Sequence, residues 1–464
     1  MQRTSKQQKI YNYFVDNIKN GVLQSGEYLP STRDLAKLYK CHRFTAMTAL
    51  QNLVAEGWVE SLIKSRYRVS EKVPVTYSKK SNDVLKPTGV FKVARSKPDH
   101  FTERDKYRLE FWGGQPDLRL FPKDEFRRIL STTLEKAKPE LLNYGHIDGL
   151  DLAKKEISGY LRRTRNLLNK EFIITNGSQE ALHLIAQTFI KPGDCIGVEA
   201  KGYPPAWHLF ESLGAKLVPL EVDSEGLVTD TLEKVITTKK IKMIYTTPLH
   251  QYPTTVSLSP RRRQALIQLC EKYQIPILED DYDFEFHYAG PPPAPLSTET
   301  SYGIYICSFS KVLFPGARLG VIACDEEIRE HLIYQKYLVS RQTDCLAQLA
   351  LAGWIKDGGF EKHLRRTRRC YEKRKEHLED HLQQLAEIHP MSWNSPTGGM
   401  SIWVNFHIDT KNLAEAAKKH GVFFQHEQTM DYRDKPGEHL RIGFAAVNES
   451  EINQGVLVLR KILG

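Results

Sequence analysis

The stretch IYICSFSKVLFPGARLG, residues 304–320, decides how most of this 464-residue chain is interpreted. It begins with a short apolar run typical of a buried strand and continues with hydroxyl groups, Lys311 and Arg318. An amine can bond covalently to an aldehyde, while hydroxyl groups and a guanidinium can hold a dianionic phosphate. The stretch therefore suits a phosphate-bearing aldehyde, although a single lysine in a sequence is more often a solvated surface charge.

Short runs rich in β-forming residues alternate with helical stretches around this segment. That alternation is typical of a mostly parallel sheet covered by helices, so the sequence predicts an α/β fold. A long charged helix over 365–385 leads to a smaller C-terminal α+β lobe with strands at 401–406 and 439–444. The strands predicted for the larger sheet are 172–175, 195–199, 216–220, 243–246, 277–279 and 304–307.

Two of the predicted strand ends carry groups that suit a phosphorylated ring, and open α/β sheets bind ligands at the carboxyl ends of their strands. Gly177, Ser178 and Gln179 open a helix whose backbone N–H groups would cradle a phosphate. Tyr203 follows another strand, where its ring could stack on an aromatic cofactor. Both segments support the interpretation of Lys311.

Acidic residues cluster at the end of the fifth predicted strand, in the order Glu279, Asp280, Asp281 and Asp283. Neighbouring carboxylates are costly unless a cation lies among them, and a protonated pyridine nitrogen is such a cation. The alternatives are a solvated acidic loop and a divalent-metal site. We favour the pyridine because no histidine or cysteine is adjacent, although acids alone can bind magnesium.

The positive charge of the chain lies entirely in its first quarter. Residues 1–72 carry a net charge of +6 and residues 73–106 a net charge of +4, which together equal the net charge of the chain, +10. A basic segment ahead of a neutral body favours nucleic acid as a partner over a merely solubilising face. Residues 73–106 are rich in proline, serine and lysine and show little periodicity, which predicts a flexible basic linker.

The basic segment has the pattern of three helices and a hairpin. Its second helix would turn Leu35, Ala36 and Leu38 towards the core. This pattern predicts a winged helix-turn-helix that reads the major groove; the alternative is a helical interaction domain that binds no DNA. The predicted elements are helices over 7–19, from a cap at Ser31 and over 43–56, and strands over 58–62 and 66–69.

The same segment resembles the DNA-binding domain of GntR-type bacterial regulators. The resemblance rests on Gly26, Leu29, Pro30, Ser31, Arg33, Leu35, Ala36, Arg43, Thr45, Ala49, Leu50, Leu53, Glu56 and Gly57. It implies that Arg33 and Arg43 meet phosphate or base edges, that Thr45 lies at the groove, and that Lys64 and Arg66 lie on the wing. Arginine and lysine are the usual donors for such contacts.

Residues 107–464 resemble the fold-type I pyridoxal-phosphate aminotransferases, and the whole chain resembles the MocR-type regulators of the GntR family. Further motifs behind this resemblance are FWGGQPD at 111–117, LFP at 120–122, YG at 144–145, HQYPT at 250–254, HLRR at 363–366 and RIGF at 441–444. The implied domains are a winged helix-turn-helix over 1–72, the linker over 73–106, and a cofactor-binding body over 107–464 whose small lobe starts at about 365.

The resemblance also implies roles for residues around the cofactor. Lys311 would bond covalently to pyridoxal phosphate, Asp280 would pair with the pyridine nitrogen, and Tyr282 would bond the phenolic oxygen. Tyr203 would lie against the ring. Asp281 stays an alternative for the pyridine contact, because the acid cluster leaves the register open by one residue.

The resemblance also implies which residues contact the cofactor phosphate and the carboxylate of an effector. Arg441 would clamp the carboxylate of an amino acid through its bidentate fork. Thr255 and Lys201 stand where the family usually has glycine and proline, respectively. The identity of the ligand is therefore not inferred from any family member. The phosphate would be held by Gly177, Ser178, Gln179, Ser308 and Arg318, with Tyr144 from the partner subunit of a homodimer.

Three functions agree with these residues. The first is a transcriptional regulator that binds promoter half-sites in duplex DNA. It would bind pyridoxal phosphate on Lys311 and sense an amino acid, an amine or the cofactor itself. The second is an active aminotransferase with an accessory DNA-binding domain, and the third is an architectural DNA-binding protein with an inactive body. We favour the regulator, with slow or vestigial transamination, because the lysine is intact and a DNA-binding domain would burden a metabolic enzyme.

Several other classes of protein are excluded. No apolar run approaches the roughly 18 residues of a membrane helix, and the polar start lacks the core of a secretory signal. The seven cysteines are odd in number and show no paired metal spacing. That usage favours reduced thiols in a cytoplasm over disulfides or a metal site. The resemblance to GntR-type regulators implies that this cytoplasm is bacterial.

Overall fold

The structure is a computed structural model that describes residues 5–62, 66–73 and 107–464. Lys64 and the predicted linker beyond Val73 lie outside the described residues. The chain folds as two compact units, Met1–Glu103 and Arg104–Gly464. Across the described ranges, no helix has both the length and the apolar character needed to cross a membrane.

The N-terminal unit has the predicted three helices and hairpin. Its strands pair antiparallel, with Val59 opposite Val69. Ser31 caps the second helix, because its hydroxyl accepts a hydrogen bond from the Asp34 N–H at 3.3 Å. The elements are α1 (Lys6–Lys19), α2 (Thr32–Leu38), α3 (Arg43–Ala55), β1 (Val59–Leu62) and β2 (Arg66–Val69).

A small apolar core joins the three helices to the hairpin. Ile10, Leu35 and Leu50 are almost fully buried in it. The prediction that Leu38 faces the core is wrong, since its side chain is 71% exposed. Leu38 is the last residue of α2, and Tyr39 packs against the core in its place.

The larger unit alternates strands and helices, as the sequence predicts. Its helices are α4 (Lys123–Lys136), α5 (Pro139–Leu142), α6 (Asp151–Arg165), α7 (Ser178–Phe189), α8 (Pro204–Ser212), α9 (Leu232–Lys239), α10 (Pro260–Tyr273), α11 (Glu326–Val339), α12 (Cys345–Lys356), α13 (Gly359–Ala386), α14 (Thr410–Lys419) and α15 (Glu449–Leu463). Its strands are β3 (Leu109–Phe111), β4 (Glu171–Thr175), β5 (Cys195–Glu199), β6 (Lys216–Leu220), β7 (Val222–Asp223), β8 (Gly226–Leu227), β9 (Ile241–Thr246), β10 (Ile277–Asp280), β11 (Gly303–Ser308), β12 (Gly320–Cys324), β13 (Ser392–Trp393), β14 (Ser401–Asn405), β15 (Val422–His426) and β16 (His439–Gly443).

The main sheet has seven strands in the order β4-β12-β11-β10-β9-β5-β6. All neighbours run parallel except β12, which is antiparallel to both β4 and β11. All six residues of β11 are buried, as expected for a central strand covered on both faces. The predicted α/β fold with a mostly parallel sheet is confirmed, and β12 is the strand that was not predicted.

The smaller lobe is built on a five-stranded sheet in the order β13-β14-β16-β15-β3. The predicted strands β14 and β16 pair antiparallel at its centre. Strand β3 comes from the start of the unit and pairs parallel with β15. Neither β3 nor β15 was predicted. The long helix α13 begins at Gly359, six residues before the predicted start.

Candidate functional site

A cavity of about 570 Å³ lies at the carboxyl ends of the parallel strands, where β15 and β16 of the smaller lobe also reach it. It brings together eight residues that the sequence separates by more than 260 positions. They are Ser178, Tyr203, Asp280, Tyr282, Ser308, Lys311, Arg318 and Arg441. Three other predicted residues, Gly177, Gln179 and Tyr144, do not line the cavity.

Lys311 lies just beyond β11, at the end of a one-turn 3₁₀ helix over Phe309–Lys311. Its amine faces the backbone of Gly114, which comes from the segment after β3. Burial is the main cause that lowers the pKa of Lys311 to about 8; Asp283 and Asp280 oppose the shift, and Arg441 adds to it. A larger share of neutral amine is therefore present near neutral pH than for an exposed lysine.

Asp280 ends strand β10 and presents one free carboxylate oxygen. Its Oδ2 accepts a hydrogen bond from the hydroxyl of Tyr245 at 3.0 Å. Its Oδ1 is buried and has no hydrogen-bond partner in the described part of the chain. Burial raises the pKa of Asp280 to about 7. An unpartnered buried carboxylate oxygen that faces a cavity is suited to receive a cationic N–H donor.

Asp281 is engaged elsewhere. Its Oδ2 accepts hydrogen bonds from the guanidinium of Arg165 at 2.7 Å and from the hydroxyl of Tyr305 at 2.9 Å. Asp281 and Arg165 are both almost fully buried and form an ion pair. Successive residues at the end of β10 thus point to opposite sides, Asp280 into the cavity and Asp281 into the fold.

Two tyrosines flank the space beside Lys311. Tyr282 lines the cavity, and its hydroxyl donates to the backbone oxygen of His250 at 2.8 Å. The ring of Tyr203 lies across the edge of Tyr252, with ring centroids 5.6 Å apart. The Tyr282 oxygen thus remains able to accept a hydrogen bond, and Tyr203 lines the same cavity.

A phosphate-sized cradle is formed where β4 meets α7. Gly177 has a φ of +80° and precedes Ser178, the first residue of the helix. Arg318 donates to the backbone oxygen of Asn176 at 2.9 Å, and a Cβ on Gly177 would lie 2.9 Å from its guanidinium. The helix N-terminus and Arg318 therefore converge on one point, and this arrangement favours an anion.

The remaining phosphate candidates differ in their surroundings. Ser308 lines the cavity and donates to the hydroxyl of Ser310 at 2.9 Å. The side-chain amide of Gln179 donates to the backbone oxygen of Pro205 at 3.4 Å. Tyr144 is 74% exposed and lies outside the cavity, under the guanidinium of Arg341.

Arg441 on β16 reaches the cavity from the smaller lobe. It is 1% exposed, donates through Nε to Ser401 at 3.0 Å and through Nη1 to the backbone oxygen of Gly113 at 3.1 Å. Its guanidinium lies 4.2 Å from the ring centre of Tyr252. A guanidinium has five N–H donors, so three remain for a ligand.

Some cavity residues were not assigned any role from the sequence. Tyr245 contacts Asp280 from a neighbouring strand, 35 residues away, and no local pattern marks it. Tyr252 belongs to the HQYPT motif, which was the available signal for it. The smaller lobe adds Lys418, Gln425 and other residues of α14 and β15, which were missed together with that strand.

The candidate DNA-binding residues lie on the surface of the N-terminal unit. Arg33, Arg43 and Arg66 are exposed, and Thr45 is partly exposed on α3. Arg43 starts α3 and donates through Nε to the hydroxyl of Thr32 at 3.2 Å. Lys64 lies outside the described residues.

Comparisons with known proteins agree with both units. The family described as aminotransferase class I and II matches residues 118–459, and the family described as bacterial regulatory proteins, gntR family, matches residues 6–69. A probable rhizopine catabolism regulatory protein MocR from Rhizobium meliloti is 28% identical over 464 residues, which cover 97% of this chain and 92% of the relative.

Aminotransferases match about three quarters of the chain. Aromatic-amino-acid aminotransferase 1 from Thermococcus litoralis is 32% identical over 74% of this chain and 85% of its own length. The crystal structure of Pyrococcus horikoshii kynurenine aminotransferase, in complex with PMP, superposes with a TM-score of 0.72 at 29% identity, covering 78% of this chain and 93% of that chain. The chain thus belongs to the aminotransferase class I and II family and carries a GntR-type domain ahead of it, which is the organisation of the MocR-type regulators.

Proposed function

We propose that the protein is a DNA-binding transcriptional regulator whose larger unit binds pyridoxal phosphate and senses an amino compound or the cofactor itself. The combination of a GntR-type domain and an aminotransferase-like body in one chain supports this function. DNA binding would also place the protein in the cytoplasm of a bacterium.

One observation carries the cofactor assignment: the amine of Lys311 and the unpartnered Oδ1 of Asp280 line the same cavity. When bound, pyridoxal phosphate supplies an aldehyde that bonds to an amine and a ring that withdraws electrons from it. Asp280 would accept the pyridine N–H and keep that nitrogen protonated. Asp281 is disfavoured for this contact, because its Oδ2 already accepts hydrogen bonds from Arg165 and Tyr305.

The other polar groups would hold and orient the cofactor. Arg318 and the N–H groups at the start of α7 would neutralise its phosphate, with Ser308 beside them. Tyr203 would lie against the ring and Tyr282 near its phenolic oxygen. Tyr144, exposed on this chain, is free to reach the site of a second subunit, so the proposal includes a homodimer.

Arg441 is the group that would recognise an effector. Its three remaining N–H donors suit the two oxygens of a carboxylate. Lys311 lies in the larger lobe and Arg441 in the smaller one, so an amino acid that contacts both regions would bridge the lobes. A ligand that contacts both lobes stabilises the relative position of the lobes in which both contacts form.

The N-terminal unit would bind duplex DNA through Arg33, Arg43, Thr45 and Arg66, with Lys64 on the wing. Helix α3 would enter the major groove with its first residues at the base edges. A dimer would present two such units to two half-sites of a promoter.

The cofactor assignment is tested on the purified full chain. We expect a visible absorption band with pyridoxal phosphate, and borohydride should fix the label on the peptide that contains Lys311. Lys311→Ala should abolish the label and leave the thermal unfolding temperature within a few degrees. A colourless protein that cannot be reconstituted with the cofactor would overturn the assignment.

An active aminotransferase with an accessory DNA-binding domain is the second candidate. The presence of Lys311, Asp280 and Arg441 in one cavity favours it. Steady-state assays of the cofactor-loaded chain with amino acid and keto acid pairs separate the two candidates. We expect slow or absent turnover, and turnover at a typical kcat of about 1–1,000 per second would favour the enzyme.

A further inference from the structure

A second concave surface lies on the larger unit and shares no residue with the cavity around Lys311. It is a groove of about 600 Å³ between one face of α13 and the starts of α4 and α15. We call it the basic groove, because five of its lining side chains are cationic. They are Lys362, Arg365, Arg366, Arg369 and Lys373.

Four of these cations form a stripe along α13. Lys362, Arg365, Arg369 and Lys373 follow one another at spacings of three, four and four residues, which places them on one face of the helix. All four are exposed, and no ion pair joins any of them to a carboxylate of the described residues. By contrast, Arg374 and Lys375 of α13 form ion pairs with Asp117 and Glu379.

The carboxylates that line the basic groove are fewer than its cations. Only Glu125 and Glu449 line the basic groove, and Glu125 accepts a hydrogen bond from the indole of Trp354 at 2.7 Å. Like charges three and four residues apart destabilise a helix. A row of unpaired cations in a concave surface is therefore suited to an anionic ligand.

The basic groove is joined to the segment of Lys311 by hydrogen bonds. Arg366 donates to Nδ1 of His363 at 3.3 Å, and Nε2 of His363 donates to the backbone oxygen of Val312 at 3.1 Å. His363 is 5% exposed. Val312 directly follows Lys311. A ligand that binds Arg366 would therefore contact a hydrogen-bonded chain that ends next to the lysine proposed to bind the cofactor.

We propose that the basic groove binds a ligand that carries several phosphate groups. Lys362 and Lys373 are eleven positions apart on the helix, which is about 16 Å along the axis and longer than one phosphate requires. Lysine and arginine are the usual partners of phosphate oxygens. The phosphates can belong to a free small molecule or to the backbone of duplex DNA, and the recognition chemistry is the same.

The first arm of the test uses inorganic tripolyphosphate and isothermal titration calorimetry. The full chain is saturated with pyridoxal phosphate so that the cradle at Arg318 is filled. We expect the double variant Arg365→Ala/Arg369→Ala to weaken tripolyphosphate binding at least about tenfold, and Arg365→Lys/Arg369→Lys to restore most of it. The matched control is Lys234→Ala/Lys239→Ala on α9, which removes two exposed charges elsewhere and should change nothing.

The second arm measures DNA affinity against salt concentration, and only this arm depends on the proposed DNA binding. If backbone phosphates are the source, Arg365→Ala/Arg369→Ala should reduce the log–log salt slope by about 1.8, since each phosphate contact contributes about 0.9. A loss of tripolyphosphate binding with an unchanged slope identifies a free ligand. An unchanged tripolyphosphate affinity together with an unchanged slope overturns the proposal.

Discussion

Asp280 and Asp281 are neighbours in sequence with opposite tasks. Asp280 keeps one oxygen free in the cavity, whereas Asp281 neutralises the buried guanidinium of Arg165. A change at Asp280 therefore removes a contact to the proposed cofactor. A change at Asp281 leaves a buried charge without its partner.

We expect Asp280→Asn to weaken pyridoxal phosphate binding by about 1.5–3 kcal/mol, the value of a charge-assisted hydrogen bond. Asp281→Asn should instead lower the free energy of unfolding by about 3–5 kcal/mol. Cofactor titration and denaturant unfolding of both variants measure the two effects. The reverse pattern, with the cofactor lost in Asp281→Asn and the fold unaffected, would show that the pyridine contact is misassigned.

The pH dependence of cofactor attachment follows from Lys311. Only the neutral amine attacks an aldehyde, and the pKa of Lys311 is lowered to about 8 by burial. The attachment rate of the apo-protein should therefore rise with pH, with a midpoint near pH 8, and level off at higher pH. Arg441→Ala removes a cation that lowers this pKa, so the midpoint should move to higher pH. Stopped-flow absorbance over pH 6–10 measures the attachment rates of the wild type and the variant. A wild-type midpoint near 10.5, the ordinary lysine pKa, would contradict the claim that burial lowers the pKa of Lys311.

For individual residues, the sequence predicts which polar side chains belong to the site better than it predicts which residues contact them. Lys311, Arg318 and Arg441 line one cavity; the first two follow the predicted strand β11, and Arg441 lies within the predicted strand β16. The choice between Asp280 and Asp281 stayed open, since it depends on which side of β10 each faces. Tyr245 could not be predicted, because its contact with Asp280 exists only once two strands pair.

At the scale of elements, the turn between β4 and α7 is fixed by strand β12. Gly320 begins β12 opposite Thr175, and a Cβ on it would lie 2.7 Å from the backbone carbon of Gly177. The strand therefore lies directly against the proposed phosphate cradle. Any side chain at Gly320 must displace the backbone there.

Gly320→Ala should reduce cofactor affinity and lower the free energy of unfolding by about 1–3 kcal/mol, the usual cost of overpacking. Gly316→Ala is the matched control, because the nearest atom to its Cβ is on Phe314 at 3.6 Å, an ordinary contact. Thermal unfolding with and without pyridoxal phosphate measures both variants. Equal behaviour of the two would show that the cradle tolerates movement of its backbone.

The missed strands have physical reasons. Strand β12 follows Lys311 after only a short 3₁₀ segment, without the helix that separates parallel strands, and it runs antiparallel. Strands β3 and β15 pair across more than 300 residues, and β3 has three residues. Alternation of strands and helices predicts parallel units well, whereas strands inserted between them leave little pattern.

At the scale of the whole molecule, the smaller lobe of the larger unit holds the loop that carries Tyr203. The backbone N–H of Gly202 donates to Met430 at 3.0 Å, and Lys201 pairs with Glu427. Although burial opposes it, hydrogen bonds from His439 and Lys201 lower the pKa of Glu427 to about 2. The lysine that replaces the usual proline thus connects the two lobes next to the cavity.

DNA binding belongs to this scale as well. Arg43→Ala should weaken binding to a specific duplex and reduce the log–log salt slope by about 0.9 if its contact is to phosphate. It should impair site recognition more than Lys64→Ala does, because Arg43 starts the helix expected in the major groove. Fluorescence anisotropy at several salt concentrations measures both variants, and a salt-independent affinity would contradict the assignment of the N-terminal unit.

The most direct test of the account measures DNA affinity while the cofactor site is filled. The full chain is bound to a duplex selected from a random pool, and pyridoxal phosphate and candidate amino acids are added in turn. We predict a change in DNA affinity of about 5–150-fold, the usual range of allosteric coupling, which Lys311→Ala abolishes for the cofactor and Arg441→Ala for the amino acid. Binding of the cofactor on Lys311 with no change in DNA affinity for any added ligand would contradict the account.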